Sequence, residues 1–167
     1  MKNLKSLISE NLRIALCEKY AGEILNAQNY IYIAAFLKNK GLDKLAGIFE
    51  GQHAEEISHS KLIYEFLTDM NAAFEVYEGE GVNFPINTIM DIAEKYLERE
   101  EITTENLNDI KQLCIEERNG VAEEFLRQMV NRQRSELAET SNFYDNAELC
   151  SGDWYRVKVW NDTLGCD

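Results

Sequence analysis

The sequence predicts an all-α protein built as a four-helix bundle. Apolar residues recur at helical spacing almost throughout the chain, and only one proline and nine glycines interrupt its 167 residues. Residues with turn character also divide the chain into two helical halves of similar length. The length suits one domain with a substantial hydrophobic core.

The four predicted helices pair as two hairpins, each closed by a short turn. Their approximate ranges are 4–38, 43–70, 87–117 and 121–147. Gly41 ends the first hairpin's leading helix, because glycine is the residue expected just past a helix C-terminus. Asn119 and Gly120 form the second turn. In each helix the apolar residues share one face, as Leu16 and Phe49 do in the first hairpin.

Two segments fall outside this helical pattern. Residues 71–86, which include Pro85, form a connection of about 16 residues, and a connection of that length can cross a bundle. Residues 148–167 form a short tail that is distinct from the bundle at 1–147. Within the tail, Trp154–Trp160 alternates like a short strand and is rich in β-forming residues. We therefore expect a non-helical or strand-like tail, packed on the bundle or on another subunit.

One spacing occurs twice along the chain and points to a metal site. Each copy is a lone carboxylate followed 33 residues later by two ligand-type side chains three positions apart. The copies are Glu23 with Glu56 and His59, and Glu100 with Gln133 and Glu136. Side chains at i and i+3 share a helix face, so each pair can bind one object. Two such copies predict a two-metal site inside the bundle.

These polar residues fall on apolar helix faces. Glu23 lies seven residues after Leu16 and seven before Tyr30, and Glu100 lies seven after Ala93. Burying an unpaired charge costs several kcal/mol, so carboxylates at such positions need partners. We find no lysine or arginine at these inward positions, and therefore expect metal ions to neutralise the carboxylates.

The predicted turns place each carboxylate level with its partner. In an antiparallel hairpin, residues equidistant from the turn lie opposite each other. The midpoint between Glu23 and Glu56 falls within the first turn, and that between Glu100 and Gln133 falls close to the second. Both pairs should therefore meet across their hairpins. The competing interpretation is a plain structural bundle, since most glutamates on helices are solvated.

The ligand types favour iron or manganese over structural zinc, which prefers cysteine and histidine. The half that contains His59 should hold a metal firmly, whereas the half with the neutral amide of Gln133 should release it more easily. Glu56 is our candidate for a carboxylate that bridges the two ions. Tyr30 could hydrogen-bond a ligand or supply an electron, although an ordinary core tyrosine fits its position equally well.

The composition argues against several classes of partner. A formal net charge of −13 disfavours nucleic acid and anionic membranes. No apolar run approaches membrane length, and the N-terminal pattern is not that of a signal peptide. The four cysteines show no close metal spacing, which fits a reducing cytoplasm. We expect Cys150 and Cys166, which flank the tail, to be reduced thiols.

At these residues the chain resembles a non-haem bacterial ferritin, a member of the ferritin-like diiron superfamily. The resemblance covers about residues 10–147. It rests on Glu23 with Tyr30 seven residues later, on the runs HAEEISH (53–59), FLTD (66–69) and EEIT (100–103), and on Gln133-x-x-Glu136. One Glu-x-x-His motif with a Gln-x-x-Glu in the second place resembles true ferritins more than diiron proteins with two Glu-x-x-His motifs.

The resemblance implies an iron-storage protein with ferroxidase activity. In the family, Fe(II) enters the paired site, O₂ or H₂O₂ oxidises it, and Fe(III) moves to a mineral core. The resemblance assigns Glu23, Glu56 and His59 to the first iron. It assigns Glu56, Glu100 and Gln133 to the second. It also implies a homo-oligomer, namely a hollow 24-subunit cage.

Two regions depart from the family. Bacterial relatives often have a third iron site built from acids beside the Gln-x-x-Glu run. Here Arg132 and Ser135 stand where acids would help, and only Glu55 and Glu136 remain, so we expect that site to be weak or absent. The strand-like tail replaces the family's short C-terminal helix, which lines fourfold contacts, and this argues against an unchanged cage.

A second function also fits the residues, namely a diiron oxidase or peroxidase that detoxifies iron or peroxide without storing a core. Cage assembly and iron loading would separate the two functions. A DNA-protecting miniferritin fits less well, because the ligands meet within one chain and no basic arm is present.

Overall fold

The structure of the protein is a computed structural model that describes residues 5–165. It contains four long helices and one short one. The helices are α1 (Glu10–Asn39), α2 (Asp43–Asp69), α3 (Ile89–Glu116), α4 (Gly120–Leu149) and α5 (Trp154–Thr163). The predicted all-α fold and four-helix bundle are therefore confirmed. The division into a bundle at 1–147 and a tail at 148–167 stays a prediction.

Local capping sets where the helices begin. The Ser9 side chain accepts a hydrogen bond from the Leu12 amide, so α1 begins at Glu10, six residues later than predicted. Residues 1–4 lie outside the described part of the chain. The start of α3 is a capping box, in which Thr88 and Asp91 satisfy each other's backbone amides.

The four long helices form two antiparallel hairpins, α1 with α2 and α3 with α4. Gly41 turns the chain at the first hairpin with a φ of +71°, a left-handed conformation that favours glycine. Between the hairpins, residues 71–88 contain no helix, as predicted for the long connection. Two hydrogen bonds tie this connection to α1, from Arg13 to the Ala73 carbonyl and from Tyr32 to the Phe84 carbonyl.

The hydrophobic core is divided into two clusters along the bundle axis. One cluster lies towards the α1–α2 turn and centres on the rings of Tyr30, Phe49, Tyr96 and Phe143. The other lies towards the opposite end, and Leu16, Ile63, Leu107 and Leu126 belong to it. Between the clusters, each of the four long helices contributes buried polar side chains. The candidate site occupies this polar layer.

The prediction of a strand-like tail is wrong. Residues 154–163 form helix α5, whose first turn is capped by the Asp153 side chain. Trp154, Val157, Trp160 and Leu164 recur every three or four residues, and all four pack on the cluster near the α1–α2 turn. The run Trp154–Trp160 also alternates like a strand over a short window. Packing on this cluster favours the helical spacing over the strand spacing.

Two further predictions concern the cysteines of the tail and membrane-spanning helices. Cys150 is a free thiol, and Cys166 lies outside the described residues. Among residues 5–165, no helix combines the length and apolar character that crossing a membrane requires.

Candidate metal centre

Three predicted ligands converge in the polar layer. Glu23 on α1 and Glu56 and His59 on α2 each place one ligand atom within 4.8 Å of the others. Among the described residues this is the one group of acidic, histidine or cysteine side chains close enough to hold a metal ion. Both glutamates are buried, with relative exposures of 1 % and 2 %. The prediction that Glu23 and Glu56 meet across the first hairpin agrees with this geometry.

Two carboxylate oxygens in this group lack hydrogen-bond partners among the described residues. They are Glu23 Oε2 and Glu56 Oε2, and both are buried. A buried oxygen without a partner is costly, because folding removes its water without replacement. A divalent cation coordinated by both oxygens and by the His59 imidazole would satisfy them. The residues present therefore fit a metal ion.

The protonation of the two glutamates differs. Burial raises the pKa of Glu56 well above its usual range, and the nearby Glu23 charge raises it further. Burial is the largest effect on Glu23 and acts to raise its pKa. The Lys19 charge, the hydrogen bonds with Glu56 and Lys19 and the His59 charge together outweigh burial, so the net shift is downward. In the metal-free protein, Glu56 thus holds a proton more tightly than Glu23 does. A metal ion must displace that proton.

A buried lysine neutralises part of the site, contrary to the sequence prediction that no inward lysine or arginine was present. Lys19 Nζ lies 2.7 Å from Glu23 Oε1, and both side chains are almost completely buried. Lys19 is four residues before Glu23 on α1, so the two side chains lie on one helix face. Lys19 lies seven residues after the buried Leu12, so the same seven-residue spacing could have indicated it.

His59 is a neutral imidazole in the metal-free protein. Its Nδ1 lies 3.4 Å from Glu56 Oε2 and its Nε2 lies 3.5 Å from Glu136 Oε1. These distances would suit ion pairs if the ring were charged, but burial lowers the pKa of His59. A neutral imidazole is the form that binds metals. The contacts place His59 between the two copies of the repeated spacing.

An amide on α1 holds Glu56 in place. Asn26 Nδ2 donates to Glu56 Oε1 and to Thr103 Oγ1, both at 3.0 Å. Arg99 Nε in turn donates to Asn26 Oδ1 at 2.7 Å. This network leaves Oε2 as the open oxygen of Glu56. Sequence reasoning missed Asn26 and Thr103, although both lie three residues after a predicted ligand, and that spacing could have indicated them.

The second copy of the spacing is closed by hydrogen bonds. Tyr30 Oη donates to Glu100 Oε1, and Gln133 Nε2 donates to Glu100 Oε2 at 2.7 Å. Glu100 and Gln133 therefore meet across the second hairpin, as predicted. Burial raises the pKa of Glu100, while these two hydrogen bonds lower it and only partly offset burial. Both Glu100 oxygens accept hydrogen bonds, so Tyr30 or Gln133 must move before Glu100 offers an unshared oxygen.

Glu136 lies between the buried site and a surface cleft. Burial, followed by the charges of Glu100 and Glu23, raises its pKa to about 8. The cleft has a volume of about 280 Å³ and lies between α2 and α4. Its lining residues are Glu55, Ser58, His59, Arg132, Ser135, Glu136 and Glu139. Glu55 is exposed at this cleft and is absent from the buried ligand group.

The arrangement of a buried carboxylate–histidine group in a four-helix bundle with a crossover agrees with the comparisons to known proteins. The ferritin-like domain family matches residues 15–150, which is most of the chain. The protein belongs to this family.

Individual relatives specify the resemblance further. The chain is 25% identical over 160 residues to the bacterial non-haem ferritin of Staphylococcus epidermidis, covering 95% of each chain. It is 23% identical over 141 residues to ferritin BfrB of Mycolicibacterium smegmatis, covering 84% of this chain and 78% of that one. The resemblance to a non-haem bacterial ferritin is thereby confirmed.

Solved structures agree with this fold. The open-pore ferritin of the hyperthermophilic archaeon Archaeoglobus fulgidus superposes with a TM-score of 0.87 at 21% identity. The alignment covers 94% of this chain and 97% of the archaeal one. In this chain, helix α5 lies where the sequence had predicted a strand-like tail.

Proposed function

We propose that the protein is an iron-storage ferritin that oxidises Fe(II) at a diiron site within each subunit. The observation that carries this proposal is the buried group of Glu23, Glu56 and His59, in which two carboxylate oxygens have no hydrogen-bond partner among the described residues. Oxygen-rich ligands with one imidazole suit Fe(II) as a substrate. Membership of the ferritin-like family supports the same function.

In this proposal the first Fe(II) binds Glu23 Oε2, Glu56 Oε2 and His59. The second Fe(II) binds Glu100 and Gln133, and Glu56 bridges the two ions. The second position opens when the Gln133 amide turns away from Glu100 and presents its carbonyl oxygen in place of its NH₂ group. Each Fe(II) then gives one electron to O₂ or H₂O₂. Protons leave Glu56 and Glu100 as the metals arrive, because metal ligands must be deprotonated.

Tyr30 orients the second half of the site. Its hydroxyl donates to Glu100 Oε1, and burial raises its pKa well above the usual value, so it stays protonated and remains a donor. This position supports the proposed role of Tyr30 in orienting a ligand. The same hydrogen bond would put a redox-active phenol beside a proposed ligand of the second iron.

The cleft between α2 and α4 supplies an entry path for Fe(II). Glu136 and His59 line both the cleft and the buried site. Arg132 lines the same cleft as Glu55, and its positive charge opposes a cation there. We therefore propose that Glu55 and Glu136 guide Fe(II) inward and do not hold a stable third iron.

Storage requires a cage, and we propose that the chain forms a ferritin-type homo-oligomer in the cytoplasm. The strand-like tail had argued against an unchanged cage, and that argument falls because the tail is helix α5. The few, widely spaced cysteines of the sequence favour a reducing compartment.

Fe(II) oxidation by a Glu56→Ala variant tests the site. Glu56 is the proposed bridging ligand, so its loss should lower the initial rate of Fe(III) formation by at least about a hundredfold, because two ligand positions disappear at once. Absorbance during anaerobic Fe(II) loading followed by addition of O₂ measures this rate. Glu65→Ala, an exposed glutamate on the same helix, is the matched control. Unchanged oxidation in Glu56→Ala would contradict the diiron site.

The alternative function is a diiron oxidase or peroxidase that detoxifies iron or peroxide without a stored core. The hydrogen bonds to Glu100 do not distinguish storage from detoxification, because both functions need the same oxidation step. The size of the assembly and the iron that it retains separate them.

A further inference from the structure

Lys19 places a fixed positive charge beside the proposed iron site. Its Nζ lies 2.7 Å from Glu23 Oε1, and its side chain is only 2 % exposed. An ion pair at such depth is screened little by salt, so its charge acts on everything nearby. A metal ion that binds Glu23 must share this carboxylate with an ammonium group.

The influence of Lys19 reaches beyond Glu23. Its charge acts to lower the pKa of each of the four buried carboxyls of the site, Glu23, Glu56, Glu100 and Glu136. It is therefore positioned to act on both metal positions. In the metal-free protein this charge stabilises a layer of acids that would otherwise repel one another.

The contact also determines which oxygen is open. Lys19 occupies Glu23 Oε1, and Glu23 Oε2 is the oxygen without a partner. Asn26 has the corresponding effect on Glu56, where it occupies Oε1 and leaves Oε2. Both glutamates thus offer a single oxygen to the same place. A metal ion bound there gains one oxygen from Glu23, and the second oxygen stays with Lys19.

We propose that Lys19 is a built-in counter-cation that remains paired with Glu23 Oε1 and weakens the binding of a divalent metal to Glu23, Glu56 and His59. This inference rests on the proposed iron site and refines it. The lysine limits Glu23 to one donor oxygen and repels the incoming ion across the carboxylate. The site therefore holds its metal less tightly than its buried ligands alone would dictate, which suits a site that passes iron on.

Binding of Co²⁺ tests the inference without redox chemistry. Two variants remove the charge: Lys19→Gln keeps a hydrogen-bond donor, and Lys19→Met keeps the length and apolar stem. Lys19→Arg keeps the charge. Calorimetric titration at mildly alkaline pH, where protons compete least for the carboxylates, gives the affinity of each. Lys61→Gln, which removes an exposed lysine from α2, is the matched control for net charge.

We expect Co²⁺ to bind at least about tenfold more tightly to Lys19→Gln and Lys19→Met than to the unmodified protein, because a like charge in a poorly screened site is removed. Lys19→Arg and Lys61→Gln should bind as the unmodified protein does. The rise in melting temperature on adding Co²⁺ should also be larger in the two neutral variants. Lys19→Gln retains a polar partner for Glu23, so it keeps the test open if Lys19→Met fails to fold.

Three results would overturn the inference. Folded neutral variants that bind Co²⁺ no more tightly than the unmodified protein would remove the proposed weakening. Tighter binding by Lys19→Arg equal to that of Lys19→Gln would show that charge is not the cause. If neither the unmodified protein nor any Lys19 variant binds Co²⁺, the proposed iron site itself fails. If the unmodified protein binds Co²⁺ and Glu56→Ala does not, the proposed metal site is supported. The affinities of the Lys19 variants then test the role of Lys19 separately.

Discussion

At the scale of single residues, the site is held by contacts between side chains and not by the ligands alone. Asn26 and Lys19 each occupy one oxygen of a glutamate and leave the other open. Tyr30 and Gln133 instead occupy both oxygens of Glu100. The two copies of the repeated spacing therefore differ in readiness. In the proposed site, a metal that binds the first copy displaces a proton from Glu56, whereas the second copy must also break hydrogen bonds.

The raised pKa of Glu136 predicts that the metal-free protein becomes less stable as the pH rises. Its pKa is raised from 4.5 to about 8 in the folded protein. The folded chain therefore binds this proton more tightly than the unfolded chain does. The resulting stabilisation is complete below about 4.5 and is lost as the pH rises through about 8. Glu136→Gln removes it, so the variant's melting temperature should fall less over this interval.

Thermal unfolding of the metal-free protein across that pH interval checks this prediction. Glu148→Gln, an exposed glutamate on the same helix, is the control and should keep the slope of the unmodified protein. Equal slopes for Glu136→Gln and the unmodified protein would contradict the raised pKa. A divalent metal should reverse the trend, because its ligands bind it better as protons leave.

At the scale of elements, α5 contributes more than a surface helix would. The N-terminus of α2 has no side-chain cap from its own residues. Asn161 on α5 supplies it, because its Oδ1 accepts hydrogen bonds from the Lys44 and Leu45 amides, both at 3.1 Å. The C-terminal helix thus caps the helix that carries Glu56 and His59.

Asn161→Ala should destabilise the protein by about 1–2 kcal/mol, the usual cost of losing a helix cap. The two tryptophans of the chain, Trp154 and Trp160, both lie on α5, so their fluorescence reports on this helix alone. We expect the midpoint of denaturant unfolding to shift to a lower denaturant concentration. The shift of tryptophan emission to longer wavelength measures this midpoint. Asn146→Ala, an exposed asparagine on α4, is the control. An unchanged midpoint for Asn161→Ala would contradict the cap.

Sequence reasoning predicted the residues that follow a local rule. The seven-residue spacing identified Glu23, Glu56 and Glu100, because residues seven positions apart on a helix share a face and therefore share its burial. It missed Lys19, although this residue lies seven after the buried Leu12, because lysine on a helix is usually exposed. It could not predict the cap by Asn161, 116 residues away from Leu45. It misread α5 because over a short window the periods of a strand and a helix select some of the same residues.

At the scale of the whole molecule, assembly decides between storage and detoxification. A ferritin cage has a hollow interior in which Fe(III) can accumulate, whereas a small oligomer holds little more than the iron in its sites. The chain has 30 acidic residues against 17 basic ones, an excess that fits both functions. The subunit alone therefore does not fix the answer.

The mass of the assembly, by light scattering or native mass spectrometry, tests the storage proposal. We expect a mass near that of about 24 chains, the number that the ferritin resemblance implies, and retained iron far above two per chain after oxidation. A dimer that retains only two irons per chain would leave the detoxifying oxidase as the function. Glu56→Ala should assemble to the same mass, because its site lies in the polar layer and not on the surface.

The division of the core into two hydrophobic clusters has a consequence for how such a protein can change over time. Most of the buried apolar residues belong to these two clusters, and the candidate site lies in the band between them. Substitutions in that band alter which ion is bound and how firmly, while the ends continue to specify the same arrangement of helices. One scaffold can thus acquire a lysine such as Lys19, or exchange a histidine for a glutamine. It then keeps the same fold and differs in its affinity for metal.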